Sequence, residues 1–297
     1  MKILRFNDNR IGVLKGSDQV VDVSSTINYR VEKGPKRVIE EVIENFDQLG
    51  KKFQEIAERE TSVPLSSVKL LAPVPQPNKC LAAFVNYTDR PDRIPENLAI
   101  EYFYKSPEIV GPGGTIELLD IEPATGFHPE AEIAFVIGKR AKNVNEAQAM
   151  DCVFGYMPFF DISMRGLTRR TMFLSKGQDT FSAAGPWITT KDDVPDVHNL
   201  SVRSWVAGEE RQNYNTKYMA YKIPAQVTWL SRFVQLCPGD VITTGTHHPG
   251  LGPFNGGDLL EIEIEALGKC SFNVKGCGPK KYAKSSGGRE GGNYTKV

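Results

Sequence analysis

Apolar and polar positions alternate over short stretches at the start of the chain, in KILRF, IGVLK and QVVDV, separated by Asn7-Asp8-Asn9 and Gly16-Ser17-Asp18. Such alternation between turn-forming clusters predicts a small antiparallel sheet over residues 1–24. The period then changes. Val38, Ile39, Val42, Ile43, Phe46, Leu49, Phe53 and Ile56 recur at threes and fours, which predicts an amphipathic helix from about Val38 to Arg59, interrupted at Gly50. Pro64, Pro73, Pro75 and Pro77 surround the strand-like VKLLAPV and predict a connecting segment with one short strand.

Beyond residue 68 the chain becomes a series of short apolar runs bounded by Gly and Pro, with two helical periods. One is NVNEAQAMDCVFG, capped by Asn143 or Asn145, and the other lies around PAQVTWLSRFVQL. GPWITT, SVRSWVAG, DVITTGT and LLEIEIEAL read as strands. The pattern predicts an α+β, β-rich fold: a small N-terminal domain of antiparallel strands plus helix over 1–67, a main domain over 68–277, and a mobile Gly-, Lys- and Ser-rich tail over 278–297. No internal repeat is evident.

One run departs from simple alternation. Ala131, Ile133, Ala134, Phe135, Val136 and Ile137 form an apolar stretch ended by Gly138, and two acids, Glu130 and Glu132, interrupt its start. Side chains two apart on a strand share a face about 7 Å apart along the chain, close enough to reach one cation. Asp161 follows a second apolar-aromatic run, FGYMPFF. Acids also alternate at Glu261, Glu263 and Glu265, but there the pattern is the inside-outside alternation of a half-exposed strand, and a solvated face is expected.

Composition narrows the partners. The 297 residues carry 36 Lys and Arg against 36 Asp and Glu, so no excess charge favours nucleic acid or an anionic membrane surface, and a small polar metabolite is expected. No stretch has the length and apolarity of a signal peptide or membrane span, and the expected location is the cytoplasm. Cys80, Cys152, Cys237, Cys270 and Cys277 are odd in number and lack a C-x-x-C pair, which predicts reduced thiols.

Further polar residues suggest a site. Lys105 in YFYKSP and Lys176 in LSKGQDTF are cations in aromatic or small-residue surroundings, and Arg165 offers a fork for a substrate carboxylate or for a neighbouring acid. Thr244-Gly245-Thr246 closes a strand with hydroxyl and backbone N–H donors suited to an anion, and His247 and His248 follow. Nucleotide-binding glycine loops, H-E-x-x-H and G-x-S-x-G are all missing from the sequence. Three carboxylates make a hard oxygen site suited to Mg²⁺, Mn²⁺ or Ca²⁺, whereas zinc favours His and Cys.

The ordered set E-x-E, G-Y-x-x-x-x-D-[IV]-S-x-R, K-G-x-D-x-F, G-P-W-I and P-G-D-V-I-x-T-G-T, spread over about residues 72–275, resembles the fumarylacetoacetate hydrolase family. The resemblance implies a mixed β-sandwich roll preceded by a small N-terminal domain, and a homodimer. It places Glu130, Glu132 and Asp161 on the divalent-metal ligands, Lys176 on the active-site lysine, Lys105 on the lysine of an F-x-K-[PS] segment, and Thr246 on a threonine that helps hold substrate, beside Gly245. The chain departs from the family at NYTDRPDR. Many family hydrolases have N-Y-x-x-H-x-x-E there, with a histidine and glutamate that activate water, but this chain has Arg90 and Arg93 at those positions. Arginine stays protonated and is no base at neutral pH. Asp89, Asp92, His128 or His247 are the alternative bases, and Arg90 and Arg93 suit an additional substrate carboxylate.

The function expected from these residues and the resemblance is a metal-dependent hydrolase that cleaves a C–C bond next to a carbonyl in a 1,3-dicarbonyl or acylpyruvate-type acid. The alternatives are a lyase or isomerase on the same scaffold (decarboxylase, dehydratase or keto-enol tautomerase), and a non-catalytic binding protein.

Overall fold

The two runs that carry the acids fold into one hairpin. Gly126–Ile137 and Val153–Arg165 pair antiparallel from Gly126 opposite Arg165 to Ile137 opposite Val153, with one irregularity at Val136/Ile137. In a computed structural model, which describes residues 1–27, 34–90, 94–121, 124–167 and 171–276, this hairpin is the centre of a 13-stranded sheet. On one side Val241–Thr243 joins the glutamate strand Gly126–Ile137, followed by Cys80–Ala83 in parallel and Tyr102–Tyr104. On the other side Ile188–Thr190 joins the aspartate strand Val153–Arg165, followed by Lys2–Phe6, Arg10–Lys15, Gln19–Asp22 and Val63–Pro64. The N-terminal strands are therefore antiparallel, as their alternation predicts, and are hydrogen-bonded onto the main sheet, with Lys2 opposite Thr189.

A second sheet of five strands, in the order Glu209–Asn215, Ser201–Val206, Leu259–Ile264, Gly268–Gly276 and Thr115–Leu118, packs against the first. Ile133, Phe135, Phe160 and Ile162 of the hairpin meet Val202, Leu260, Ile262 and Phe272 of this sheet in one core. Burying each such side chain stabilises the fold by about 1.5–3 kcal/mol. The opposite face of the hairpin, with Ala134, Val136, Met157 and Phe159, is covered by Val38, Ile39, Val42, Ile43 and Phe53 from the helices.

The N-terminal helical period is realised as two helices, Gly34–Glu44 and Phe46–Arg59, and the break falls at Asn45 rather than at Gly50. Asn45 leaves helical geometry (φ −107°, ψ 17°) while its side-chain amide donates to the Glu41 carbonyl at 2.8 Å. An asparagine that bonds its own backbone competes with helix continuation, whereas one glycine costs only about 1 kcal/mol and is tolerated. Asn145, not Asn143, caps Glu146–Ala149, in a reciprocal capping box with Gln148. Ile223–Phe233 is the other predicted helix. Among the described residues, no helix is long and apolar enough to cross a membrane.

Candidate active site

Register decides where the acids go. Alternation along the glutamate strand puts Ile133, Phe135 and Ile137 toward the five-stranded sheet, so Glu130 and Glu132 share the other face with Ala134 and Val136. Asp161 shares that face on the neighbouring strand and is directly opposite Glu130. The three carboxylates converge, each offering an oxygen within 4.8 Å of the others, and all three residues are buried. The control strand has the reverse parity. There Leu260, Ile262 and Ile264 are buried and Glu261 reaches Lys269 at 2.9 Å on the outer face, as a solvated strand requires.

Like charges facing each other across a ladder destabilise it unless a cation intervenes. Here two lysines do. Lys176, the last residue of the short helix Phe173–Lys176, places Nζ 2.7 Å from Glu130 Oε2 and 2.5 Å from Asp161 Oδ2. Lys105, just past the edge strand Tyr102–Tyr104, donates to Asp161 Oδ1 at 2.6 Å and to the Ile162 carbonyl at 3.2 Å. Arg165 donates to Glu130 Oε1 and, at 3.2 Å, to His128 Nδ1, so its guanidinium is held by a protein acid. Three acids and three cations thus form one cluster, buried except for the partly exposed Arg165.

The environment separates the two glutamates. Burial alone would raise Glu130, but Lys176 and then Arg165 outweigh it and hold its carboxyl well below the usual carboxylate range. Burial, followed by repulsion from Asp161 and Glu130, pushes Glu132 well above that range. Burial lowers Lys105 against the pull of Asp161, whereas at Lys176 Asp161 and Glu130 overcome burial and keep the ammonium charged. Burial and then the Arg165 charge lower His128 to about 4, so its ring is neutral near pH 7.

The Thr-Gly-Thr segment packs alongside. Thr243 is opposite Ala134, so the chain two residues on runs beside Glu132, where the Gly245 N–H donates to Glu132 Oε2 at 2.9 Å. Thr246 Oγ1 donates to the Ala131 carbonyl at 2.7 Å. Glu132 Oε1, fully buried, makes no hydrogen bond. An orphaned carboxylate oxygen beside two further carboxylates fits a divalent cation, because a hard ion takes oxygen ligands and offsets the repulsion that burial amplifies. Glu130, Glu132 and Asp161 therefore form a group that could hold such an ion.

Two supporting residues carry no motif of their own. Gln212 is fully buried; its Oε1 accepts from the Ala131 N–H at 3.0 Å, and its Nε2 donates to Thr246 Oγ1 at 2.9 Å and to the His247 carbonyl at 2.7 Å. Tyr214 donates its hydroxyl to the Ala131 carbonyl at 2.7 Å. Both lie in EERQNYN, whose charged residues mask the inward alternation of positions 212 and 214. Asn86, the first residue of the N-Y pair, donates to the Thr244 carbonyl at 2.9 Å and so ties the NYTDR segment to the same strand end. Arg90 is exposed and lines, with Thr88, Asp89, Pro95, Glu96 and Asn97, a cavity of about 510 Å³. Asp92, Arg93, Cys277 and the tail from residue 278 lie outside the described residues. Cys80, Cys152, Cys237 and Cys270 are free thiols.

Comparison with known proteins agrees with this arrangement. Residues 79–275 match the family model described as fumarylacetoacetate (FAA) hydrolase C-terminal. A maleylpyruvate hydrolase of Aquipseudomonas alcaligenes is 32% identical over 290 residues, covering 93% of this chain and 99% of the relative. A mitochondrial oxaloacetate tautomerase of Xenopus laevis is 39% identical over 225 residues, 70% of this chain and 69% of the relative. The crystal structure of maleylpyruvate hydrolase from Sphingobium sp. SYK-6 in complex with manganese(II) ion and pyruvate superposes with a TM-score of 0.83 at 32% identity, over 93% of this chain and 99% of that one. The chain belongs to the fumarylacetoacetate hydrolase family.

Proposed function

We propose that the chain is a divalent-metal-dependent hydrolase that cleaves the C–C bond next to a carbonyl in a small acylpyruvate-type acid. The convergence of Glu130, Glu132 and Asp161 around the orphaned Glu132 oxygen carries this reading. Similarity to maleylpyruvate hydrolases over nearly the whole length of both chains supports the substrate class. Bound by these carboxylates, a divalent ion would act as a Lewis acid toward a 2-keto acid, whose adjacent carboxylate and keto oxygens suit chelation. The hard oxygen donors favour Mg²⁺ or Mn²⁺.

The protein's own groups complete the site. Lys105 fixes the rotamer of Asp161, and the Gly245 N–H fixes that of Glu132. Lys176 keeps positive charge at the seam between Glu130 and Asp161, where negative charge developing on a substrate enolate is stabilised. Arg165 and Lys176 offset the charges of Glu130 and Asp161, which lessens the repulsion an anionic acid meets at the cluster. Large exposed apolar side chains, Tyr104, Phe173 and Phe233, are consistent with a second copy of the chain as partner.

A second reading, keto-enol tautomerisation, is favoured by Arg90 at the position where many family hydrolases have histidine, and by the tautomerase relative. A product assay with Mn²⁺ and an acylpyruvate separates the two. Equimolar pyruvate and carboxylic acid are expected, and an unfragmented product would overturn the hydrolase reading.

A further inference from the structure

The ladder that holds the Thr-Gly-Thr segment against the glutamate strand stops just short of the acids. Val241, Ile242 and Thr243 pair with Val136, Phe135 and Ala134, and the Thr244 N–H adds one bond to the Ile133 carbonyl at 3.1 Å. Gly245 then takes a left-handed conformation (φ 82°), and its N–H goes to Glu132 Oε2 at 2.9 Å instead of continuing the ladder. That bond leaves the other oxygen of Glu132 open. The placement of residues 245–247 therefore bears directly on how this carboxylate is presented.

At Ala131, midway between the two glutamates, side chains take over from the ladder. Gln212 Oε1 accepts the Ala131 N–H at 3.0 Å, and Gln212 Nε2 donates to Thr246 Oγ1 at 2.9 Å. Thr246 Oγ1 in turn donates to the Ala131 carbonyl at 2.7 Å. The three bonds close a ring in which each residue gives one proton and accepts one. Gln212 places its second amide proton on the His247 carbonyl at 2.7 Å. The amide cannot be turned over, because its NH2 would then face the Ala131 N–H and its oxygen the His247 carbonyl.

Gln212 reaches this point from the edge strand Glu209–Asn215 of the five-stranded sheet, and it is fully buried. Burying an amide costs free energy unless its polar atoms are bonded, and an apolar side chain of similar size would fill the space without that cost. Its contribution is therefore the set of bonds rather than the volume.

Resting on the reading of Glu130, Glu132 and Asp161 as a divalent-metal site, we infer that Gln212 is a positioning residue of that site. Its amide pins residues 246 and 247 to Ala131, and the pinned turn keeps the Gly245 N–H on Glu132 so that Oε1 is presented to the cation. None of the hydrogen bonds of Gln212 goes to a carboxylate. It acts through Thr246, Gly245 and Glu132, in that order, and a supporting group of this kind carries about 10- to 100-fold in metal affinity.

The test is calorimetric titration of Mn²⁺ into wild type, Gln212→Met, Gln212→Asn and Thr216→Val, with a urea midpoint for each. Gln212→Met keeps the volume and removes all three bonds, whereas Gln212→Asn keeps the amide but is too short to hold both ends. Each should lower Mn²⁺ affinity about 10- to 100-fold. Thr216, which directly follows the same strand, is also fully buried, and its hydroxyl accepts from the Leu200 N–H at 2.8 Å and donates to the Val197 carbonyl at 2.9 Å. Thr216→Val therefore shows what losing a buried polar group does through stability alone, and its Mn²⁺ affinity should stay within about twofold of wild type. In the Glu132→Gln background the loss caused by Gln212→Asn should shrink to less than about threefold, because the ligand it aims is already gone, a coupling that general loosening would not produce. Gln212→Asn with Mn²⁺ affinity within about threefold of wild type, an equal loss in Thr216→Val, or a full additional loss in the double variant overturns the assignment of Gln212 alone. Wild type that binds no Mn²⁺ overturns the metal reading and the assignment of Gln212 with it.

Discussion

Glu130 and Asp161 stand directly opposite each other across the central hairpin, and the Lys176 ammonium bridges them at 2.7 and 2.5 Å. All three are buried, so the lysine counters a repulsion that water does not screen. Lys176→Met should therefore destabilise the metal-free protein by about 1–3 kcal/mol, because Glu130 keeps Arg165 and Asp161 keeps Lys105 but the bridge between the two carboxylates is lost. Urea denaturation measures this directly, and added Mn²⁺ should restore part of the loss. An unchanged midpoint would show that the two carboxylates do not repel in the folded chain.

Glu132→Gln should behave differently. Burial and the neighbouring acids already disfavour the charged form of Glu132, so a neutral isostere changes metal-free stability by less than about 1 kcal/mol. Affinity for Mn²⁺ should nevertheless fall by at least the 10- to 100-fold that loss of a supporting group costs. A variant both folded and metal-deficient separates ligand from scaffold, whereas intact affinity would remove Glu132 from the site.

His198 provides a pH test away from the acids. Its Nε2 accepts from the Ile223 N–H at 3.1 Å, at the start of the helix Ile223–Phe233, and burial, aided by the Lys222 charge, lowers it to about 4. The folded state favours the neutral ring, while the unfolded chain binds a proton below about 6.5. This contribution is complete above that value and is lost as pH falls from about 6.5 toward 4. Between pH 7 and 5 wild type should lose more stability than His198→Gln, and parallel losses in both would rule out the linkage.

Gly155, in the G-Y pair of the aspartate strand, is opposite Thr190, and a Cβ there would lie 2.3 Å from the Thr189 carbonyl oxygen. Gly155→Ala should cost about 1–3 kcal/mol through overpacking between these strands. Thermal denaturation measures it, and a wild-type melting temperature would mean that the strands separate freely.

Much of this architecture was legible in residue pattern. The period-two runs of the first 24 residues and the apolar run ending at Gly138 became strands because strong local alternation agreed with tertiary packing. Helix propensity points to Gly50 for the helix break, yet the break falls at Asn45, which gains a side-chain bond to Glu41 that no propensity scale includes. Spacing alone could not separate Glu130 and Glu132 from Glu261 and Glu263. The difference lies in which parity each strand turns inward, and that depends on long-range pairing. Gln212 was invisible for a related reason: a buried amide in a charged strand has no local signature, and its role arises from contact with residues 81, 34 and 35 positions away.

The central claim is that Glu130, Glu132 and Asp161 jointly bind a divalent ion. Calorimetric titration of Mn²⁺ into wild type and Asp161→Asn tests it most directly. One ion bound per wild-type chain, with affinity reduced on the order of 10²-fold or more in the variant, is the predicted result. Equal binding by the two proteins would contradict it.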